Sequence, residues 1–195
     1  MTEVAEPRLV STGVGGEGGN RRAGVAGGKA LRSVLGKFAT GITVVAAGRD
    51  APCGMTANSF TSVSILPPLI LVCINRRAAV YQAILESGSF AVSVLSCYQE
   101  NVARYFADHS RPRGPAEFNA VDWFPSPSTG SPVIEDALAW LDCDLAACYD
   151  GGDHVIVLGS VQASGCGPVH GALLFFGGGF HRQELAVPAA LRETA

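Results

Sequence analysis

Two short β-branched runs, ITVVAA at 42–47 and LILVCIN at 69–75, flank a segment that fits neither a helix nor an ordinary hairpin loop. The stretch from Gly54 to Pro68 reads GMTANSFTSVSILPP, and six of the nine residues from Thr56 to Ser64 are Thr, Asn or Ser. A hairpin needs only about two to five connecting residues, so this segment must itself hold extended chain, with strand-like residues resuming near 54–64. Pro67-Pro68 then sets an extended entry to the second run. Further on, FAVSVLS alternates apolar and polar positions, which predicts a half-buried strand. The turn GGD, followed by VIVLGSVQASG, favours two antiparallel strands and reads the ambiguous ALAWLDCDLAACYD before it as a strand; ALLFFGGGFHRQ ends the sheet. Six or seven strands, mostly hairpin-linked, exclude the βαβα alternation of a parallel sheet. The expected fold is mainly β with short helices, an antiparallel barrel.

Three helices punctuate this pattern. KALRSVLGKFAT carries Leu31, Val34, Leu35 and Phe38 at helical spacing, with Gly41 expected to end it. AAVYQAILESG repeats the spacing through Val80, Ile84 and Leu85, and Gly88 is a C-terminal stop. ENVARYFADHS forms a short third helix, followed by a charged, Pro-rich loop at 110–118 and a Pro/Ser-rich stretch at 122–133. Residues 1–30 hold eight glycines and almost no large apolar side chains, so they are expected to form a disordered tail. Residues 31–185 form one domain, and 186–195 a C-terminal tail. Gly13, Gly15 and Gly18 satisfy a G-x-G-x-x-G pattern, yet no strand precedes them, and the match is chance.

Charge and cysteine usage narrow the function. A net charge of −3 gives no reason to expect nucleic acid or an anionic membrane surface. No apolar run approaches the roughly eighteen residues of a membrane span, and the N-terminus has no apolar h-region, which predicts a cytoplasmic protein. Apolar residues make up 48% of the chain against 16% charged, a balance that suggests a face covered by a second copy. The six cysteines include no CxxC pair, and neither Cys143, Cys148 and His154 nor Cys166 and His170 has the spacing of a metal site. G-x-S-x-G, HExxH and phosphate-loop motifs are all missing.

Two clusters remain. In extended chain Thr56 and Asn58 face one way, with Ser62 able to join them, while backbone groups near Ala57 meet a ligand edge. Such a wall suits a planar heterocycle rich in donors and acceptors; the alternative is a solvated edge strand whose hydroxyls bond local backbone. Asn75, Arg76 and Arg77 lie where a strand yields to a helix, an arrangement that can hold a phosphate. The second cluster is DGGDH, a glycine turn presenting Asp153 and His154 at a strand start. His109, His170 and His181 are read as surface residues.

LGKFATGITVV, GMTANSFTSVSILPPLILVCIN, FAVSVLS, ALAWLDC, GGDHVIVLGSV and ALLFFGGGF, in this order from about Leu31 to Phe180, resemble the short-chain flavin reductase family. These are reductase components of two-component flavin-dependent monooxygenases with an FMN-binding split β-barrel of Greek-key type. The resemblance implies an NAD(P)H:flavin oxidoreductase that passes hydride from NADH to FAD or FMN. It also implies a homodimer whose reduced flavin diffuses to a separate monooxygenase, in secondary metabolism or aromatic degradation. Met55, Thr56, Ala57, Asn58 and Ser59, with Ser62, match the flavin-ring and ribityl wall. Cys73, Ile74 and Asn75 match the strand end beside it, Arg77 the phosphate region, and Tyr105 and Phe106 a helix with further flavin contacts. Gly152, Asp153 and His154 match the segment meeting the nicotinamide nucleotide. Two departures stand out: Ala78 and Ala79 replace family serines, and Gly177 and Gly179 stand where a basic residue is common. The alternatives are a non-catalytic flavin-binding protein, a pyridoxamine-phosphate-oxidase-like enzyme or a haem-binding split barrel.

Overall fold

The computed structural model describes residues 27–183. The expected tails therefore lie outside the described residues, apart from positions 27–30, where the first helix already begins. In chain order the elements are α1 (Gly28–Leu35), β1 (Thr40–Gly41), β2 (Thr43–Ala47), β3 (Cys53–Ala57), β4 (Thr61–Ile65), β5 (Pro68–Asn75), α2 (Ala79–Ser87), β6 (Ser89–Val94) and α3 (Glu100–Ala107). They continue with a 3-10 turn (Gly114–Phe118), β7 (Trp123–Pro125), β8 (Pro132–Ile134), β9 (Ala139–Gly151), β10 (His154–Cys166), β11 (Ala172–Phe176) and β12 (Gly179–Gln183).

Seven strands form one antiparallel sheet in the order β3-β2-β6-β9-β10-β5-β4. It curls, but β3 and β4 at its two edges share no ladder, which makes the barrel a split one. Two smaller sheets, β1-β11-β12 and β7-β8, add to the six or seven strands expected. Inside the curl, Val45, Val72, Ile74, Ile84, Phe90, Val92 and Val157 pack as one core. Burying each such side chain is worth about 1.5–3 kcal/mol. A second core on the outer side joins Val44, Ala46, Leu95, Phe106, Phe118 and Leu173.

β2 therefore feeds both cores from alternate faces and is buried throughout. The same holds for β6, where half-burial was expected: residues 89–93 are all buried. β8 covers its outer face, and the Ser93 hydroxyl accepts the Ile134 N–H at 3.0 Å instead of meeting water. A second correction concerns α1. It stops at Leu35, six residues before Gly41, and Gly41 lies in β1 opposite Leu174. The apolar stripe Leu31, Val34, Leu35 and Phe38 is not core; all four are exposed. α2 ends as expected on Gly88, whose φ of 67° is the left-handed cap geometry.

Candidate active site

The Thr/Asn/Ser segment lies at the split of the barrel. β4 pairs with β5 only as far as Leu71, so the seam-side backbone groups of Cys73 have no ladder partner. Ser59, in the link between β3 and β4, supplies one: its hydroxyl donates to the Cys73 carbonyl at 2.9 Å and accepts the Cys73 N–H at 3.0 Å. A single serine thus fastens the seam. The Thr56 hydroxyl is committed as well, donating to the Ala103 carbonyl of α3 at 2.6 Å. These two hydroxyls bond backbone, while Asn58 stays exposed.

A cavity of about 410 Å³ opens at this seam, lined by Met55 through Ser59, Cys73, Gly151 and His154. It unites the predicted wall with His154, nearly a hundred residues away in the chain. β9 and β10 place that histidine, because Gly151 pairs with His154 across a two-residue turn whose Gly152 has φ 77°. Arg76 holds this turn from the end of β5: its Nε donates to the Gly152 carbonyl at 2.9 Å and its guanidinium pairs with Asp150. The Asp150 carboxylate also accepts the Gly152 N–H at 2.9 Å. The Gly152 N–H first, and Arg76 after it, hold the Asp150 carboxyl below its ordinary range, so the latch is intact at neutral pH. The His154 Nδ1 donates to Asp153 at 2.7 Å, which sets the tautomer and leaves Nε2 for a ligand. The same contact lowers the Asp153 pKa.

Through Met55 the seam cavity meets a larger one of about 880 Å³, bordered by Asn75, Arg77, Phe106, His109 and Arg113. Here α2 starts at Ala78 without a side-chain cap, which leaves first-turn N–H groups open to an anion. Asn75 shapes the approach: its Oδ1 accepts the Arg77 N–H at 2.9 Å and its carbonyl the Ala78 N–H at 2.9 Å. Ala78 and Ala79 remove hydroxyls, not this backbone geometry.

The structure does not gather every expected residue. Ser62 is exposed on β4 and borders neither cavity, and the fully buried Ile74 belongs to the core. Tyr105 donates its hydroxyl to the Glu117 carbonyl at 2.7 Å, while Phe106 packs beneath β3 and borders the larger cavity. Gly152 and Asp153 shape the turn without lining the seam cavity. Arg76, grouped by sequence with the phosphate ligands, serves the turn instead. Gly177 and Gly178, with φ of 61° and 88°, form the β11–β12 turn, so Gly177 is not a strand position.

Sequence reasoning missed the buried pair Arg111–Glu117. Within the charged loop at 110–118, the Arg111 Nε donates to the Glu117 carboxylate at 2.8 Å, and both side chains are almost fully buried. Together they grip Gly54 of β3: Arg111 donates to its carbonyl, and its N–H donates to Glu117 at 3.2 Å. A Cβ at Gly54 would stand 2.9 Å from the Phe106 ring, which explains the glycine. The adjacent Cys53 thiol is pushed up to about 11, first by burial and then by the Glu117 charge.

A planar, polar heterocycle fits the seam cavity. Its lining combines Asn58 and Ser59 with the apolar Met55, Ala57 and Cys73, and the adjoining helix start suits a phosphate tail.

The flavin reductase like domain family matches residues 35–184. An NADH-dependent FAD reductase of Streptomyces globisporus is 49% identical over 152 residues, covering 78% of this chain and 84% of the relative. The reductase subunit HsaB of a Mycobacterium tuberculosis flavin-dependent monooxygenase is 43% identical over 136 residues, covering 69% and 70%. Among solved structures, BorF, the flavin reductase component of a bacterial two-component tryptophan halogenase, superposes with a TM-score of 0.77 at 45% identity, over 80% of this chain and 98% of its own. A complex of the Streptomyces globisporus NADH:FAD oxidoreductase with NAD and FAD fragments gives 0.75 at 46% identity, over 81% and 93%.

Proposed function

The chain belongs to the flavin reductase like domain family, and from that premise we propose that it is an NADH-dependent flavin reductase delivering reduced flavin to a separate monooxygenase. The observation that supports this reading is the seam cavity of about 410 Å³, which the Met55–Ser59 wall and His154 line together. The reaction moves a hydride from nicotinamide C4 to flavin N5 and takes up one proton, giving NAD⁺ and reduced flavin. Rings that stack within roughly 3–3.5 Å react without a protein nucleophile, so the protein's task is placement. Asn58 and the β3–β4 link meet the polar edge of the flavin, Met55 and Cys73 flank its ring, and the phosphate tail runs towards Arg77 and the start of α2. His154, held by Asp153 and steadied through the Arg76 latch, positions the nicotinamide. The larger cavity beyond Met55 has room for the adenosine of FAD.

Two further features belong to this reading. The stripe from Leu31 to Phe38 and the hairpin tip at Ile65 and Leu66 are exposed apolar surface, with Phe38 at 77% and Leu66 at 92%. A second copy covers this surface in a homodimer. The six cysteines are all free thiols, which suits the reducing cytoplasm; no helix among the described residues is long and apolar enough to cross a membrane.

The test is loss of reduced-nicotinamide absorbance under air, with FAD or FMN added in excess. NADH oxidation is expected to depend on flavin, and a rate indifferent to both flavins overturns the reading. His154→Ala is expected to raise KM for NADH about tenfold, the order expected for one lost side-chain contact to a charged ligand. KM for flavin should rise less, and equal effects on both remove the role given to His154.

A further inference from the structure

A hydride passes between stacked rings only when the wall behind one of them stays put, because the reacting atoms must come within roughly 3–3.5 Å. The stretch Thr56–Ser59, which lines the seam cavity, is pinned from three directions. The Thr56 hydroxyl donates to the Ala103 carbonyl of α3 at 2.6 Å. The Ala57 carbonyl accepts the Thr43 hydroxyl of β2 at 2.9 Å, and the Ala57 side chain is buried in the core inside the curl. The Ser59 hydroxyl clasps both main-chain groups of Cys73 on β5. Resting on the reductase reading, we infer that Thr56 and Ser59 are positioning residues. Their hydroxyls fasten the wall to α3 and β5 and make no contact with the flavin.

The hydrogen count is the first support. A hydroxyl carries one hydrogen, and in Thr56 and Ser59 that hydrogen is already given to a protein carbonyl. Neither can donate to a flavin nitrogen or carbonyl without giving up a bond of the wall. Place is the second support. The β4–β5 ladder ends at Thr61 opposite Leu71, so Ser59 supplies the next rung, at Cys73, which itself lines the cavity. Without that rung the β3–β4 link and β5 can part where the ring has to lie. The third support is what the wall leaves free. Between the two anchors Asn58 is the exposed side chain. Alternate residues of an edge strand turn their main-chain N–H and C=O to the open side. Gly54 turns its pair to Glu117 and Arg111, so Thr56, two positions on, turns its own to the same edge at the cavity. Hydroxyls fix the main chain, and the main chain with Asn58 faces the flavin.

The test uses the full chain with two flavins at saturating NADH: FAD or FMN, whichever the wild type turns over faster, and lumiflavin, which keeps the ring and lacks the ribityl phosphate. Ser59→Ala is expected to lower flavin kcat/KM about tenfold, the scale of one or two lost hydrogen bonds. The factor should be the same for both flavins, and KM for NADH should not move. Thr56→Val should act in the same direction, while Thr56→Ser, which keeps the hydroxyl, should hold wild-type values. Thr61→Ala removes an exposed hydroxyl bonded only to the Ser62 carbonyl and should change neither flavin. Amide hydrogen exchange at Cys73 gives a measure independent of turnover: protected in the wild type with and without flavin, and faster in Ser59→Ala. The inference is overturned by a loss confined to the phosphorylated flavin, which would make Ser59 a ribityl or phosphate ligand. It is equally overturned by a Cys73 amide that flavin releases in the wild type, or by wild-type flavin kinetics in both Ser59→Ala and Thr56→Val. A wild-type protein that oxidises NADH with neither flavin defeats the reductase reading itself, a result distinct from these.

Discussion

The seam cavity has two flanks built on opposite principles. On the α2 side, the wall at Gly54 is gripped by Arg111 and Glu117, backed by Phe106 and Phe118, and sealed from water. On the α1 side a groove of about 980 Å³ is framed by a helix with no buried residue and by Lys29, Arg32 and Lys37, none of them in an ion pair among the described residues. Under the proposed function both reagents exchange in each turnover, and it is the flavin ring, which must be held in one orientation, that calls for the fixed wall. Rigidity sits where orientation matters, while cations without an ion pair among the described residues border both flanks, Arg77 and Arg113 on one and Lys29, Arg32 and Lys37 on the other.

The largest expected effect breaks the rigid flank. Glu117→Ala strands the Arg111 guanidinium in a dry site and frees the Gly54 N–H, and losing one partner of a buried pair costs about 3–5 kcal/mol. Urea unfolding should therefore show a sharply lower midpoint. On the α1 flank, Arg32→Gln should move stability by no more than about 0.5 kcal/mol, the range of surface substitutions. Equal losses at both positions would erase the contrast.

How much of this contrast the sequence displays depends on the kind of residue. The β-branched runs announce β2, β5 and β10 directly, and Gly88 and Gly152 mark their turns by needing positive φ. β9 is harder to read. Opposite the Leu158–Gly159 step one extra residue, Ala146, enters β9, and the two-residue alternation changes phase there, so the strand carries no single period. The seam hydroxyls were visible as a cluster, but their partners, Cys73 and Ala103, come from other elements and leave no mark nearby. Arg111 and Glu117 look like ordinary loop charges six positions apart; their burial against Gly54 of β3 comes from tertiary packing that leaves no local mark. The α1 stripe misleads the other way, since helical spacing shows a face exists without showing what covers it.

A smaller effect probes the same wall by shape alone. Gly54→Ala sets a methyl 2.9 Å from the Phe106 ring, which must shift and carry α3 with it. Overpacking of this kind costs about 1–3 kcal/mol. Because Met55 is the next residue, the flavin KM should rise while the NADH KM holds. Steady-state kinetics with each reagent varied in turn separates the two. An equal rise in the NADH KM would mean that the flanks are mechanically one.

A small effect on stability lies between the flanks, at the Arg76 latch. Its ion pair with Asp150 is solvent-exposed on both sides, and such pairs are worth about 0.2–1 kcal/mol, so Arg76→Ala should hardly change the unfolding midpoint. Its kinetic cost should be larger than its thermodynamic one, because the same guanidinium holds the Gly152 carbonyl and so fixes the turn before His154. KM for NADH should rise several-fold, with little change for flavin. The pH dependence gives a second check. The Asp150 carboxyl titrates below its ordinary value in the folded protein, so its contribution is complete above about 3.8 and is lost only as pH falls through that lowered value. Wild-type KM for NADH should therefore owe no change to this latch between pH 5 and 8, and the Arg76→Ala increase should be constant across that interval. An increase that vanished at one end would mean that Arg76 acts through a different titrating group, and the turn would then be steadied by His154 and Asp153 alone.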